Sequence, residues 1–457
     1  MTTQNIESIR VAGARRVAQA IGELCFEGLL TATPAGDGIY TMILGPATYR
    51  FRGRASAWGG LHVEVGSVTR QIDGAEEPVD SPVGLLLDAR AQLGASDEVL
   101  AEWLAEIHGS LLAEAEQCEH MRELDAAALA NLSGVALEQH LDGHPKLVAH
   151  RGRVGWGFED LRAHAPECGA RVRIYWLAVA PELAHCSGAA PLVSESCDAP
   201  EQARLSQQLH TSRLPDAVLV PVHPWQWQRH VAPQYTRQLA RGEIVPLGVF
   251  GDLYAPRMSV RTLANVDRPE RADLKLALGI LNTSCWRGLP GEHVAQGPGV
   301  AAALRRRVEA DPLLCAANLK VLCDLGGVHV PHPEFAALPG APYRLRELLA
   351  AVWRESAATR LGPDEVEVPA AGLQQCDLAG APLIREWVDR SGVSLARWLQ
   401  ALFEHTAVPL YHLLCAHGLG AIAHGQNLGL VLREGLPVGA LLRDVHGDLR
   451  RLDDDTL

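Results

Sequence analysis

An imidazole and a carboxamide close one apolar run, and two hydroxyls flank a guanidinium at the end of another. Residues 217–222 lead into His223-Pro224-Trp225-Gln226, and a run from Tyr254 leads into Ser259-Val260-Arg261-Thr262. Together these groups suit a polyanion: Arg261 for planar two-pronged phosphate contacts, Ser259, Thr262 and Gln226 to orient it. Either segment alone also fits a strand-end turn with a satisfied histidine and a surface arginine.

Three further segments add to the pattern. Gly143-His144-Pro145 is followed by Arg151 and Arg153, then Gly155 and Gly157. On an extended segment the two arginines share one face, and the glycines let a phosphate approach the backbone; a plain basic turn is the other reading. Lys275 opens the run Lys-Leu-Ala-Leu-Gly-Ile, and Asn282-Thr283-Ser284 and Arg287 close it. His424-Gly425-Gln426-Asn427 precedes two short apolar runs that end in Arg443-Asp444. Their His, amide and carboxylate groups suit a Mg²⁺–nucleotide site. A carboxylate beside phosphate-binding arginines makes chemical sense with a cation between them.

Other signatures are absent or misplaced. Gly418-Leu419-Gly420 with Ala423 imitates a dinucleotide fingerprint, but a helical pattern precedes it where a strand is required. There is no G-x-x-x-x-G-K-[ST], no G-x-S-x-G and no H-E-x-x-H.

The elements that must position these groups fall into three stretches. In the first, helices bracket strands. Ser96 is an N-cap candidate, and Val99, Leu100, Trp103, Leu104, Ile107, Leu111 and Leu112 recur at helical spacing. Tyr40 to Arg52 and Leu61 to Val68 alternate as strands do. The middle stretch is strand-rich: 171–180, 218–222, 244–250 and 254–262. Strands grouped with few helices between them favour an antiparallel α+β sheet. The last stretch is helical from Leu395 to Cys415, kinked at Pro409. It then forms a hairpin from 427–433 and 438–443 through Glu434-Gly435-Leu436-Pro437. The tail Leu452-Asp453-Asp454-Asp455 reads as a solvated end.

The chain has 457 residues, 47 % hydrophobic and 21 % charged, so roughly two or three domains with a large core are expected. A net charge of -13 argues against nucleic acid or an anionic membrane as partner. Ten scattered cysteines without a C-x-x-C pair suit small core residues in a reducing compartment. No signal peptide or membrane-length apolar run is visible, so a cytoplasmic location is expected.

Taken in order, Gly143-His144-Pro145 with Arg153, His223-Pro224-Trp225-Gln226, Ser259-x-Arg261-Thr262, Lys275-Leu276 with Thr283-Ser284 and Arg287, and His424-x-Gln426-Asn427 with Arg443-Asp444 resemble the NRPS-independent siderophore synthetases, the aerobactin-synthetase (IucA/IucC-like) family. The resemblance spans about residues 138–447. It implies an α+β cupped hand: a thumb over 1–137, ATP-binding fingers with an antiparallel sheet over 138–345, and a mostly helical palm over 346–457. It implies ATP-dependent condensation of a carboxylic acid, citrate or a related polycarboxylate, with an amine or alcohol through an acyl-adenylate. It allows a homodimer or a companion synthetase as partner.

By position, the resemblance assigns ATP to His144, Arg153, His223, Gln226, Ser259, Arg261, Thr262, Lys275 and Asn427. Mg²⁺ falls to Asp444 and Asn427, and the chemistry to Lys275, Arg287 and His424. The chain departs from the family pattern in three places. Leu147-Val148 and Arg151 stand where a second His-Pro and a Lys are usual, Ile422 stands where an acidic residue is common, and the chain stops at Leu457 where members usually continue. These departures make a non-catalytic or partner-dependent member the alternative. A metal-dependent hydrolase built on His223, His424 and Asp444 is a third class.

Overall fold

The computed structural model describes residues 3–212, 214, 216–283 and 285–451. Ser284, Met1-Thr2 and the acidic tail lie outside them. The chain divides into two compact units, one of residues 1–123, 142–156 and 281–285, the other of 124–141, 157–280 and 286–457.

In the first unit, helices Thr3–Phe26 and Asp97–Met121 accompany a six-stranded antiparallel sheet. The second helix starts where expected, with Ser96 Oγ accepting from Val99 N at 3.3 Å. Its Ile107 and Leu111 pack with Ile21, Leu44, Tyr49 and Phe51. The run expected as one strand from Tyr40 to Arg52 is two, Ile39–Leu44 and Ala47–Ala55, because Gly45 at φ +55 followed by Pro46 turns the chain. The strand expected over 61–68 is only Leu61–Val63, since Gly66 at φ +76 makes another turn.

The second unit is built on an eight-stranded antiparallel sheet. Its order is His185–Gly188, Asp324–His329, Ala350–Arg354, Asp273–Leu276, Thr262–Asn265, Ile244–Pro256, Val172–Val179, Val218–Val222. The α+β fold class expected from the sequence is the one observed. Register decides what each face carries. Leu263, Leu274 and Trp353 stand opposite one another on three neighbouring strands, all fully buried in the main core. Burial of a side chain that size contributes on the order of 2–3 kcal/mol. One position along, Thr262 pairs with Lys275, and Asp273 pairs with Arg354, which pairs with Asp324. The period of two sends these polar groups to the opposite face.

Two boundaries differ from expectation here. Residues 244–250 and 254–262 do not form separate strands. One strand runs Ile244–Pro256, and its register shifts where Gly248 and Gly251, at φ +110 and +90, permit bulges. The chain then turns at 257–261 before Thr262 opens the next strand.

A second, four-stranded sheet joins Leu319–Val321, Leu436–Leu442, Leu428–Arg433 and Val366–Pro369, the first pair parallel. Its hairpin is the expected one, with a tighter turn: Glu434 and Gly435, at φ +49 and +83, form the whole connection. The apolar stretch 395–415 is two helices, Leu395–His405 and Ala407–His417, parted at Thr406. Pro409 is the reason: its ring clashes with the carbonyl four residues back, at His405.

Candidate functional site

The turn at 257–261 is held by its own bonds. Arg257 N donates to Thr262 O at 2.9 Å, Val260 N to Arg257 O at 2.8 Å, and Thr262 N to Ser259 Oγ at 3.1 Å. Val260 adopts φ +59 and is fully buried. A β-branched residue there costs on the order of 1–3 kcal/mol and persists only when its surroundings enforce it. The strained turn presents Ser259 and Thr262 to an open cleft of about 340 Å³, continuous with solvent.

Asn427 and Asp444 line the same cleft from the base of the C-terminal hairpin. Arg443 N donates to Asn427 O at 3.0 Å and closes that base. Asn427 Nδ2 faces His424 Nε2 at 3.1 Å, which turns the amide oxygen away from the histidine. Asp444 sits at φ +57, another left-handed position. Oδ1 of Asp444 accepts from Lys275 Nζ and, at 3.0 Å, from Arg354. Arg354 also donates to Asp324 at 2.8 Å.

Burial dominates the electrostatics. It brings the Lys275 ammonium down to about 8, with Asp444 opposing and Arg261 and Arg354 assisting. Burial alone would raise Asp444; Arg354, Lys275 and Arg261 overcome it and hold the carboxyl well below its ordinary value. Asp444 is therefore a carboxylate at neutral pH. His293 and His446, their rings 4.7 Å apart, are both pushed down chiefly by burial.

The cleft is also lined by a charged network of which the sequence singled out only Arg443. Glu138 accepts from Arg257 at 2.7 Å, from Met258 N at 2.9 Å and from Arg443 at 3.0 Å. Arg257 also donates to Asp273 at 2.8 Å, and Arg443 to Glu367. All five side chains are nearly inaccessible. Burial by itself would raise Glu138, and the two arginines bring it below its ordinary value. Asp273 and Glu367 are pushed up by burial. Spacing could have found one member: Asp273 lies two before Lys275 and so shares its face. Glu138, Arg257, Asp324, Arg354 and Glu367 carry no comparable local signal.

The other candidates differ in what holds them. Lys275 is not at a strand start; it is the third residue of Asp273–Leu276 and is buried. Arg261 donates to the carbonyl of Gly288, the neighbour of Arg287 at the end of Cys285–Arg287. Gln226 is fully buried and spans main chain at both ends, donating to Leu348 O at 2.8 Å and accepting from Gly279 N at 2.7 Å. His223 caps its own turn, with Nδ1 accepting from Trp225 N at 3.2 Å, and stacks edge-on to His164 at 4.8 Å. Burial, then His164, holds it neutral. Among the described residues, His223, His424 and Asp444 do not converge as metal ligands, so the hydrolase constellation is not formed.

His144 and Arg153 belong to the first unit. His144 Nδ1 accepts from Lys146 N at 3.2 Å. Arg151 and Arg153 do not share a face of an extended segment: Arg153 is left-handed at φ +41 and lies 5.5 Å over Trp156, while Arg151 donates to Gln117.

The donors around Asp444 and Asn427 are a carboxylate and an amide oxygen, the hard ligands Mg²⁺ takes alongside phosphates, so the residues present fit that ion. No helix of the described residues is long and apolar enough to cross a membrane.

Known proteins resemble this chain in sequence and in fold. Residues 133–375 match the model of the IucA / IucC family, and residues 396–457 that of the ferric iron reductase FhuF-like transporter. Aerobactin synthase of Escherichia coli is 37 % identical over 96 % of this chain and 76 % of its own length. The citryl-spermidine/3,4-dihydroxybenzoyl-citryl-spermidine:spermidine ligase of Bacillus anthracis is 27 % identical over 97 % of this chain and 74 % of its own. The structure of aerobactin synthetase IucC from Klebsiella pneumoniae superposes with a TM-score of 0.89 at 34 % identity, covering 98 % of this chain and 80 % of that one. With a family model spanning more than half of its residues and a relative this similar along nearly all of it, the chain belongs to the IucA / IucC family.

Proposed function

We propose that this protein is an ATP-dependent ligase of siderophore biosynthesis. It condenses a carboxylic acid, citrate or a related polycarboxylate, with an amine or alcohol. The acid oxygen attacks the α-phosphorus of ATP, the bond to the β-phosphate breaks, and pyrophosphate leaves. The amine or hydroxyl then attacks the acyl carbon and AMP leaves with the bonding pair.

One observation carries the reading. Thr262, Lys275 and Arg354 stand on one face of adjacent strands, with Ser259 beside them and Asp444 between the two cations. Bringing a carboxylate to a polyphosphate sets like charges together, and fixed cations with hydroxyl donors offset that repulsion. Asp444 and Asn427 would hold Mg²⁺, which supplies further charge neutralisation. Arg261 and His424 flank this group, and Arg287 is suited to the acid. Such a reaction needs orientation more than proton transfer, because adenylate is a good leaving group. The synthase and ligase names of the relatives support the same reading.

The test is AMP and pyrophosphate release from Mg-ATP with hydroxylamine as surrogate nucleophile, across citrate, 2-oxoglutarate and succinate. Acid-dependent release, reduced about 10²–10³-fold in Arg261→Ala, is expected. A folded protein that binds ATP yet releases nothing with any acid overturns the stand-alone ligase and leaves the partner-dependent alternative.

A further inference from the structure

Apart from the cleft, one trio of side chains has no part in the function just proposed. Asp311 follows the helix Gly291–Ala310 and caps the next, Pro312–Ala316. Its Oδ1 accepts from Leu313 N at 2.9 Å and Leu314 N at 3.1 Å. Its Oδ2 meets two imidazoles, His412 Nε2 and His417 Nε2, each at 2.9 Å. Both histidines belong to the helix Ala407–His417, His417 as its last residue before the left-handed Gly418. None of the three lines the cleft.

The geometry points to a binding site for one borderline divalent transition-metal ion, held by Asp311, His412 and His417. Their three ligand atoms lie within 4.8 Å of one another. Two imidazole nitrogens and one carboxylate oxygen, with a further position open to water, form a three-ligand set used for Zn²⁺. The same set with open positions suits Fe²⁺. Two imidazoles out of three ligands disfavour Mg²⁺ and Ca²⁺, which take oxygen.

The fit needs the two N···O separations to open slightly and the two imidazole nitrogens, within 4.8 Å of each other, to settle at the same tetrahedral spacing. At metal–ligand lengths of about 2.0–2.2 Å, tetrahedral neighbours stand roughly 3.3–3.5 Å apart. The two N···O separations must each open by about half an ångström on that scale. Each imidazole that now donates from Nε2 must carry its proton on Nδ1 instead, a tautomer change that leaves the ring neutral. The capping bonds to Oδ1 fix the carboxylate with Oδ2 toward the histidines, the role an outer shell plays at metal sites. The side chains are 14 %, 28 % and 21 % exposed, so an ion can enter while most of the surroundings stay dry.

The test uses the full-length chain stripped with a chelator. Zn²⁺ and anaerobic Fe²⁺ are titrated separately against a competing chromophoric chelator, and thermal midpoints are recorded with and without ion. One equivalent of at least one ion should bind and raise the midpoint. Its affinity should fall at least tenfold in His412→Gln, in His417→Gln and in Asp311→Asn, the last retaining a capping oxygen. Which ion binds more tightly distinguishes zinc from ferrous iron. An unchanged tight equivalent in a folded His412→Gln/His417→Gln variant would assign the metal to cysteines or other histidines and overturn the proposal. So would a wild-type protein that takes up neither ion, leaving the trio as a helix-capping network only. If the double variant does not fold, the single variants decide by the same criterion.

Discussion

Lys275 and Asp444, 169 positions apart in the sequence, form one buried ion pair at the cleft. With nucleotide held as proposed, the pair should make its affinity depend on pH. Burial brings the Lys275 ammonium down to about 8, with Asp444 opposing. A bound polyphosphate attracts only the charged form, so binding takes up a proton above that point. Affinity for a non-hydrolysable ATP analogue should be level below pH 8 and fall above it, by up to about tenfold per pH unit. Calorimetry from pH 7 to 9.5 in buffers of different ionisation enthalpy checks both the slope and the proton. A flat profile would remove Lys275 from the binding site.

Asp444→Asn should move that break to lower pH. The substitution removes the anion that raises Lys275 and leaves two cations facing each other. Breaking a buried pair this way costs about 3–5 kcal/mol. Lower thermal stability together with a lower pH break is expected; a break at the wild-type pH would show that Asp444 does not set the lysine.

Glu138→Gln should destabilise the second unit by about 3 kcal/mol or more. Arg257, Arg443 and the amide of Met258 all converge on this carboxylate. Differential scanning calorimetry at pH 7.5 checks it. A midpoint within a degree of wild type would mean that Asp273 and Glu367 alone satisfy the arginines.

Gln226→Ala separates support from contact. Both ends of the amide are bonded to buried main chain, so the loss leaves two backbone groups unsatisfied at about 1–3 kcal/mol each. Stability should fall while AMP formation per folded molecule stays within about threefold of wild type, the range of context effects rather than of a lost transition-state contact. A hundredfold loss of turnover in a stable variant would place Gln226 on the nucleotide after all.

Acid should weaken the first unit early. Glu114 is depressed to about 2: burial would raise it, and Arg16 and His150 overcome that. His150 is brought down to about 3, chiefly by burial and then by Arg16. Unfolded, these groups titrate near 4.3 and 6.5. Below pH 6.5 the unfolded chain takes up the histidine proton and the native unit does not, and below about 4.5 the same holds for the glutamate. Stability should therefore fall from pH 6.5 downward, through pH 2–3. Hydrogen exchange of helix Asp97–Met121 follows it, and His150→Gln should flatten the upper part of the curve.

How much was legible depends on range. Ser96 as a cap, 172–179 and 218–222 as strands, and the C-terminal hairpin were readable, because each follows from neighbours a few residues apart. The turn at 257–261 has the sequence pattern of a strand. Its Val260 has strand propensity, and only the surrounding packing holds it left-handed.

The residue types alone limited the chemistry available. Arg261, Lys275, His424, Asn427 and Asp444 are the residue types that hold polyanion and cation, and their order carried the family. Tertiary structure decided which of them meet. Antiparallel register set Thr262 beside Lys275 and Arg354 two strands from the turn, and the hairpin returned Asp444 to them. It also recruited Glu138, Arg257 and Arg354, and it tied Gln226 into main chain. The physical reason is burial: a charge removed from water must find its partner wherever the fold supplies one, and that partner's position in the chain is free.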